Sequence, residues 1–95
     1  MPSGERLSLK RMKFRLSIHA QEQLAERRLP FQLLQIVLEN PQQIIEEDGI
    51  KIYQSQFDRD GKLQLFRVFV DDSFDPLVVV TIYVTSKIAK YWRSP

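Results

Sequence analysis

Two Asp-Gly pairs, Asp48-Gly49 and Asp60-Gly61, stand between stretches in which apolar and polar residues alternate. Asp-Gly is a strong signal for the two-residue turn of a β-hairpin, because both central residues of that turn need a left-handed backbone. The alternating stretches are QQIIEED, IKIYQSQF and KLQLFRVFVDD, and a third turn over residues 73–76 precedes LVVVTIYVT. The pattern predicts three or four strands joined as an antiparallel meander.

Before residue 41 the apolar spacing is helical. Ser17 is the expected N-cap of a first helix, which ends at Leu29-Pro30 because a residue before proline disfavours helical angles. Pro30 suits the first turn of a second helix, and Asn40-Pro41 ends that helix. The order of elements predicts an α+β fold, in which a two-helix hairpin packs on one face of a three- to four-stranded antiparallel sheet.

Residues 1–12 contain Pro, Ser, Gly and scattered cations without a clear period. We expect them to form a flexible basic arm ahead of a single α+β domain over residues 13–95, with KFRL as a short entering strand. No apolar run approaches the roughly 20 residues that span a bilayer. The expected location is therefore the cytoplasm, without contact to a membrane.

The chain has no cysteine and one histidine, which argues against a transition-metal centre and excludes a thiol nucleophile. We expect neither a metal nor another cofactor. Charge is unevenly distributed: residues 1–28 carry seven Lys/Arg and three acids, whereas residues 29–60 carry two and six. Basic ends suit a polyanion and an acidic middle suits a basic partner, although ordinary solvated faces explain the same distribution.

Strand alternation predicts which side chains share a face of the sheet. One face is uniformly apolar and should meet the helices; it comprises Phe66, Val68, Val70, Val78, Val80, Ile82 and Val84. The other face should be open and carry Arg67, Thr81, Tyr83, Thr85 and, from the neighbouring strand, Tyr53. Arginine binds phosphate through its planar fork of donors, and tyrosine stacks on bases. The alternative is that Arg67 pairs with an acid across a solvent-facing sheet.

His19 is the only side chain whose ordinary pKa lies near neutrality, which makes it the natural proton-transfer group. Equally, its ring can dock on a strand and fix the helix start. Arg27 and Arg28 are either ligands or capping charges. The terminal residues Lys87, Lys90, Tyr91, Trp92 and Arg93 form either a basic-aromatic strip for RNA or a segment whose rings close the core while its lysines stay in water.

Three segments resemble domain-of-unknown-function family 4258: HAxxxLAERRLP from His19 to Pro30, the Asn40-Pro41 helix end, and TIYVTSKIAKYW. The motif positions in this chain are His19, Arg27, Thr85, Lys87, Lys90 and Tyr91. The order of elements is also similar to that of the RelE/ParE superfamily of toxins, including BrnT-like members. That similarity implies either metal-free cleavage of messenger RNA or poisoning of gyrase, with an antitoxin as partner.

From the resemblance we expect a toxin-like, metal-independent endoribonuclease. The expected catalytic residues are His19, Arg67, Lys87 and Tyr91. The expected substrate-binding residues are Arg27, Tyr53, Tyr83, Thr85 and Lys90. The alternative is a non-catalytic module that binds a protein through the open sheet face, or that pairs two copies of the chain as a homodimer.

Overall fold

A computed structural model describes residues 12–94 of the chain. In chain order the elements are β1 (Phe14–Leu16), α1 (Ile18–Glu26), α2 (Phe31–Glu39), β2 (Gln43–Glu47), β3 (Ile50–Arg59), β4 (Lys62–Asp71), β5 (Leu77–Thr85) and α3 (Ile88–Tyr91). Apart from Met12, the expected arm lies outside the described residues. The Met12 backbone N–H donates to Glu39 Oε2 at 3.0 Å, and its side chain packs against the core.

The five strands form one mixed sheet in the order β1-β5-β4-β3-β2. β2 to β5 are the antiparallel meander that the alternation predicts. The α+β class is therefore confirmed, but the sheet has one strand more than expected and is not wholly antiparallel. The added strand is β1, which confirms KFRL as a short entering strand; it is three residues long and runs parallel to β5. A three-residue strand is too short to show a period, and its orientation is a matter of tertiary packing.

Both Asp-Gly pairs form the expected left-handed turns. Asp48 and Gly49 have φ angles of 51° and 81°, and Asp60 and Gly61 have φ angles of 53° and 78°. In the second turn, Asp58 Oδ1 accepts a hydrogen bond from the Gly61 N–H at 3.0 Å. These turns set the registers of β2 with β3 and of β3 with β4.

The helices begin and end close to their predicted bounds. Ser17 is the N-cap of α1, and its Oγ accepts from the Ala20 N–H at 3.0 Å. Pro30 is at the N-cap of α2, one position before the expected first turn, and Asn40 is its C-cap. The expected two-helix hairpin is wrong in detail: α1 packs mainly on β5 and β1, whereas α2 packs on β3 and β4.

The first face of the sheet, defined as the one that α1 and α2 cover, carries the main core. Phe66, Val68 and Val70 lie there as predicted. In β5 the prediction is wrong for two residues, Val78 and Val80, because Phe69 pairs with Thr81 while Val70 pairs with Val79. Val80 therefore has no partner on β4 and forms a β-bulge, which reverses the alternation of the residues before it. As a result Val79 is fully buried in the core, and Val80 is 39% exposed.

Tyr53 is also on the first face, and its expected position on the opposite face is wrong. It pairs with Val68 and packs against the core. Directly paired residues share a face, so the register set at Asp60-Gly61 places Tyr53 beneath the helices.

Candidate functional site on the second face of the sheet

A row of polar side chains crosses four strands on the second face, which is opposite the helices. Gln43 pairs with Gln54, Gln54 with Arg67, and Arg67 with Tyr83. Because cross-strand partners project to the same side, these four side chains follow one line from β2 to β5. The row brings the predicted residues Arg67 and Tyr83 onto one surface with two glutamines.

Arg67 is the buried cation of this row, with 5% of its surface exposed. Its Nε donates to Gln54 Oε1 at 2.9 Å. The guanidinium carbon lies 4.2 Å from the centre of the Tyr91 ring and 5.3 Å from that of Phe69. Burial lowers the pKa of Arg67, and the nearby Glu47 carboxylate opposes that shift. Aromatic faces and the amide oxygen together compensate the cation for lost hydration.

The two glutamines connect Arg67 to the end of the chain. Gln54 is fully buried, and its Nε2 donates to Gln43 Oε1 at 2.8 Å and to the Tyr91 carbonyl at 3.3 Å. Gln43 Oε1 also accepts from the Arg93 N–H at 3.2 Å, while Gln43 Nε2 donates to the Arg93 carbonyl. The Gln43 side chain thus pairs with the Arg93 backbone much as a neighbouring strand would.

The second face is covered, and the expectation of an open face is wrong. The C-terminal segment, residues 88–93, lies over Arg67 and Gln54, and Arg93 Nη2 is 3.1 Å from Glu47 Oε2. Ile45, Ile52 and Leu65 are buried on this side. The alternation of apolar and polar residues describes only the strands themselves. It cannot show that the chain turns back after β5 and covers the second face. Tyr91 and Trp92 are half-buried while Lys87 and Lys90 are exposed, in agreement with the core-closing alternative.

At the margin of the covered area lies the tyrosine–lysine cluster, which we define as Tyr83, Thr85, Lys87, Lys90 and Tyr91. The rings of Tyr83 and Tyr91 meet edge to face at 5.8 Å, and Lys90 Nζ is 5.4 Å from the Tyr91 ring centre. Thr85 Oγ1 accepts from the Lys87 N–H at 3.0 Å. These five residues were all predicted from the sequence, and the structure brings them together.

The pKa of the Tyr83 hydroxyl is lowered from its ordinary value. The largest cause is hydrogen bonding with Tyr91, followed by hydrogen bonding with Thr85. Desolvation opposes the shift, and the ammonium groups of Lys90 and Lys87 make smaller contributions that lower the pKa, because they stabilise the phenolate. Tyr83 is 37% exposed, so a ligand can reach its side chain from solvent.

Besides Arg67, which contacts Tyr91 from beneath, three predicted site residues are not part of this cluster. His19 is exposed on α1, whose Ala20 packs into the core of the first face, so His19 and Arg67 belong to opposite sides of the sheet. Arg27 is the exposed C-cap of α1. Tyr53 is on the first face.

Sequence reasoning missed three residues of the site, which are Gln43, Gln54 and Glu47. Arg93 was named only as part of the terminal strip, and the structure shows its contacts with Gln43 and Glu47. Neutral glutamines in a strand carry no chemical motif, and only the register reveals them. Among residues 12–94, no group of three or more His, Asp or Glu side chains is placed to hold a metal ion. No helix in the same range is long and apolar enough to cross a membrane.

Fold and site together define a small α+β protein whose sheet carries helices on one face and a covered polar row on the other. The chain belongs to the family described as Domain of unknown function (DUF4258), whose model matches residues 16–84. The match includes Arg67 and Tyr83 and ends before Thr85 and the terminal lysines. No curated protein and no solved structure matches the chain.

Proposed function

We propose that this protein binds single-stranded RNA at the tyrosine–lysine cluster and cleaves it without a metal ion, as a toxin that an antitoxin neutralises. The observation that carries the proposal is Tyr83, an exposed side chain whose hydroxyl pKa is lowered beside a second tyrosine and two ammonium groups. Aromatic rings that stack on bases, together with cations that meet phosphates, are a combination suited to single strands.

The proposed chemistry is an attack of the ribose 2′-oxygen on the adjacent phosphorus. The Tyr83 phenolate takes the proton of the 2′-hydroxyl as the new O–P bond forms. Lys87 and Lys90 offset the charge that develops on the phosphorane oxygens. The bond from phosphorus to the 5′-oxygen then breaks, and Lys90 or Tyr91 protonates the leaving oxygen. The products are a 2′,3′-cyclic phosphate and a 5′-hydroxyl.

Arg67 has a positioning role in this proposal. It is buried beneath the C-terminal segment and contacts the face of Tyr91, so its cation orients that ring. His19, Arg27 and Tyr53 receive no role, because they lie away from the cluster.

The test is cleavage of a labelled single-stranded RNA by the purified full chain with EDTA present, with and without ribosomes. Tyr83→Phe keeps the ring and removes the hydroxyl, and it should lower the rate by about 10² to 10⁴, the usual contribution of a proton-transfer group. His19→Ala is the matched control and should cleave at the parent rate. Circular dichroism checks that both variants fold.

The pH profile supplies an independent readout. Because the phenolate is the active form, activity should be present above the Tyr83 pKa and lost as pH falls through it. That pKa is lowered, so the rise should occur below the ordinary tyrosine range near pH ~10. The rise should be absent in Tyr83→Phe. Failure of the folded parent to cleave RNA under every condition, or equal losses in Tyr83→Phe and His19→Ala, would contradict the proposal.

A further inference from the structure

The outer edge of β2 is the end of the sheet, since β2 is the last strand in the order. Around a two-residue turn the flanking residues, here Glu47 and Ile50, form a hydrogen-bonded pair. Hydrogen-bonded and non-hydrogen-bonded pairs then alternate along an antiparallel ladder. The backbone groups of Ile45 therefore point toward β3, and those of Ile44 and Glu46 point away from the sheet.

This edge carries an apolar and an acidic side chain next to each other on one face. Ile44 is 53% exposed, and Glu46 is exposed two residues further on. A groove of about 440 Å³ runs along the edge. It is lined by Gln43, Ile44, Ile45, Glu46 and Arg93.

The Glu46 carboxylate is available to a cation from outside. Lys51, which lies opposite Glu46 in the ladder, forms an ion pair with Asp72, with 2.7 Å between Nζ and Oδ2. The nearby Arg93 forms an ion pair with Glu47, with 3.1 Å between Nη2 and Oε2. Among residues 12–94 Glu46 itself forms no ion pair. An acid beside two outward backbone amides favours an extended ligand that brings a positive charge.

We propose that the β2 edge binds an extended segment of a partner protein, with an apolar residue opposite Ile44 and a lysine or arginine opposite Glu46. Main-chain hydrogen bonds to the outward groups of Ile44 and Glu46 provide affinity, and the two side-chain positions provide specificity. This inference is independent of RNA cleavage.

Charge disfavours a second copy of this chain as the occupant. Antiparallel pairing of two β2 strands centred on Ile45 sets Glu46 opposite Ile44, and pairing centred on Glu46 sets two carboxylates against each other. Pairing centred on Ile44 avoids both, but it gives neither Glu46 a cation. Five residues also provide only about 17 Å of edge. A stable dimer usually buries about 800 Å² on each partner.

The direct test is a titration of the ¹⁵N-labelled full chain with a capped peptide of pattern Thr-Lys-Thr-Val-Thr. A matched peptide with glutamate in place of lysine is the control. With the lysine peptide at saturation, hydrogen exchange of the Ile44 and Glu46 amides should slow about ten-fold or more, since these groups gain acceptors. The inward amide of Ile45 should change far less.

Two variants separate charge from backbone pairing. Glu46→Lys should weaken binding of the lysine peptide about ten-fold and make the glutamate peptide the better ligand. Glu46→Pro removes the outward N–H, leaves the ladder to β3 intact, and should abolish binding of both peptides. Glu22→Lys, the same charge change on exposed α1, should bind like the parent.

Several outcomes would overturn the inference: no slowing at Ile44 and Glu46 with the lysine peptide, equal binding of the two peptides, or the same response from Glu46→Lys as from the parent. Self-association of the unliganded chain through β2, seen as a dimer in sedimentation and lost in Glu46→Pro, would assign the edge to a second copy.

Discussion

Arg28 occupies a left-handed backbone conformation, with φ of 52°, directly after α1. Its N–H donates to the Ala25 carbonyl at 3.2 Å, and the Leu29 N–H donates to the Leu24 carbonyl at 2.9 Å. These two bonds form the Schellman motif that ends many helices, in which the left-handed residue is usually glycine. Burial of Leu29 in the core keeps the turn in place although arginine is unsuited to it.

Arg28→Gly should raise the free energy of unfolding by about 0.5–1 kcal/mol. The left-handed strain of a residue with a Cβ, about 1–2 kcal/mol, is relieved, and the greater freedom of glycine in the unfolded chain offsets part of the gain. Urea denaturation of the two proteins measures the difference. Arg27→Gly removes the same charge at φ of −94°, so it should give no increase. An equal gain in both variants would show that charge, not backbone strain, is responsible.

At the scale of elements, the C-terminal segment is the part of the fold that depends most on its contacts. α3 has four residues, far fewer than a helix needs to be stable alone. Three contacts hold the segment. The Gln43 side chain hydrogen-bonds to the Arg93 backbone, Gln54 donates to the Tyr91 carbonyl, and the Arg67 guanidinium packs on the Tyr91 ring. Each contact comes from a different strand of the second face.

Gln43→Ala should loosen this segment while the rest of the fold persists. The variant loses two hydrogen bonds to Arg93, each worth about 1 kcal/mol. Local opening should become easier, and trypsin should cleave after Lys87 and Lys90 about ten-fold faster if opening precedes cleavage. Ile44→Ala, an exposed position on the same strand, is the control and should be cleaved at the parent rate. Unchanged cleavage in Gln43→Ala would show that Gln43 does not hold the segment.

Part of the site was predictable at this scale from the turns alone. The Asp48-Gly49 turn pairs Gln43 with Gln54, and the Asp60-Gly61 turn pairs Gln54 with Arg67. Counting back from the two turns therefore yields Gln43, Gln54 and Arg67 of the polar row and also places Tyr53 on the other face. The bulge at Val80 was not predictable in this way, because every residue of LVVVTIYVT suits a strand on either face.

For the whole molecule, charge separates into two areas. Exposed Lys87 and Lys90 lie at the end of β5, whereas Glu46, Glu47 and the adjoining turn make the β2 edge acidic. A polyanion should therefore approach the lysines, and a basic segment should approach the edge. The net charge of +2 conceals this separation.

RNA binding should accordingly show a salt dependence that maps to the lysines. For single strands, log K falls with log salt by about 0.7 for each phosphate neutralised. Lys87→Gln and Lys90→Gln should each reduce the slope by about 0.7 in anisotropy titrations with a labelled single-stranded RNA. Lys13 precedes β1 and lies near the start of β5, far along the sheet from the cluster. Lys13→Gln should therefore leave the slope unchanged. Equal slopes in all three variants would exclude the cluster as the phosphate-binding surface.

The amino-acid sequence was sufficient to predict the α+β class, the entering strand, the two helices with their Ser17 and Asn40 ends, both Asp-Gly hairpins, and the family. These features depend on local spacing and on backbone preferences of single residues. Only the tertiary structure reveals the parallel pairing of β1 with β5, the bulge, and the return of the C-terminal segment over the second face. It also placed His19 and Arg67 on opposite sides of the sheet. Such features arise from contacts between residues far apart in the chain, and periodicity describes only which neighbours share a face.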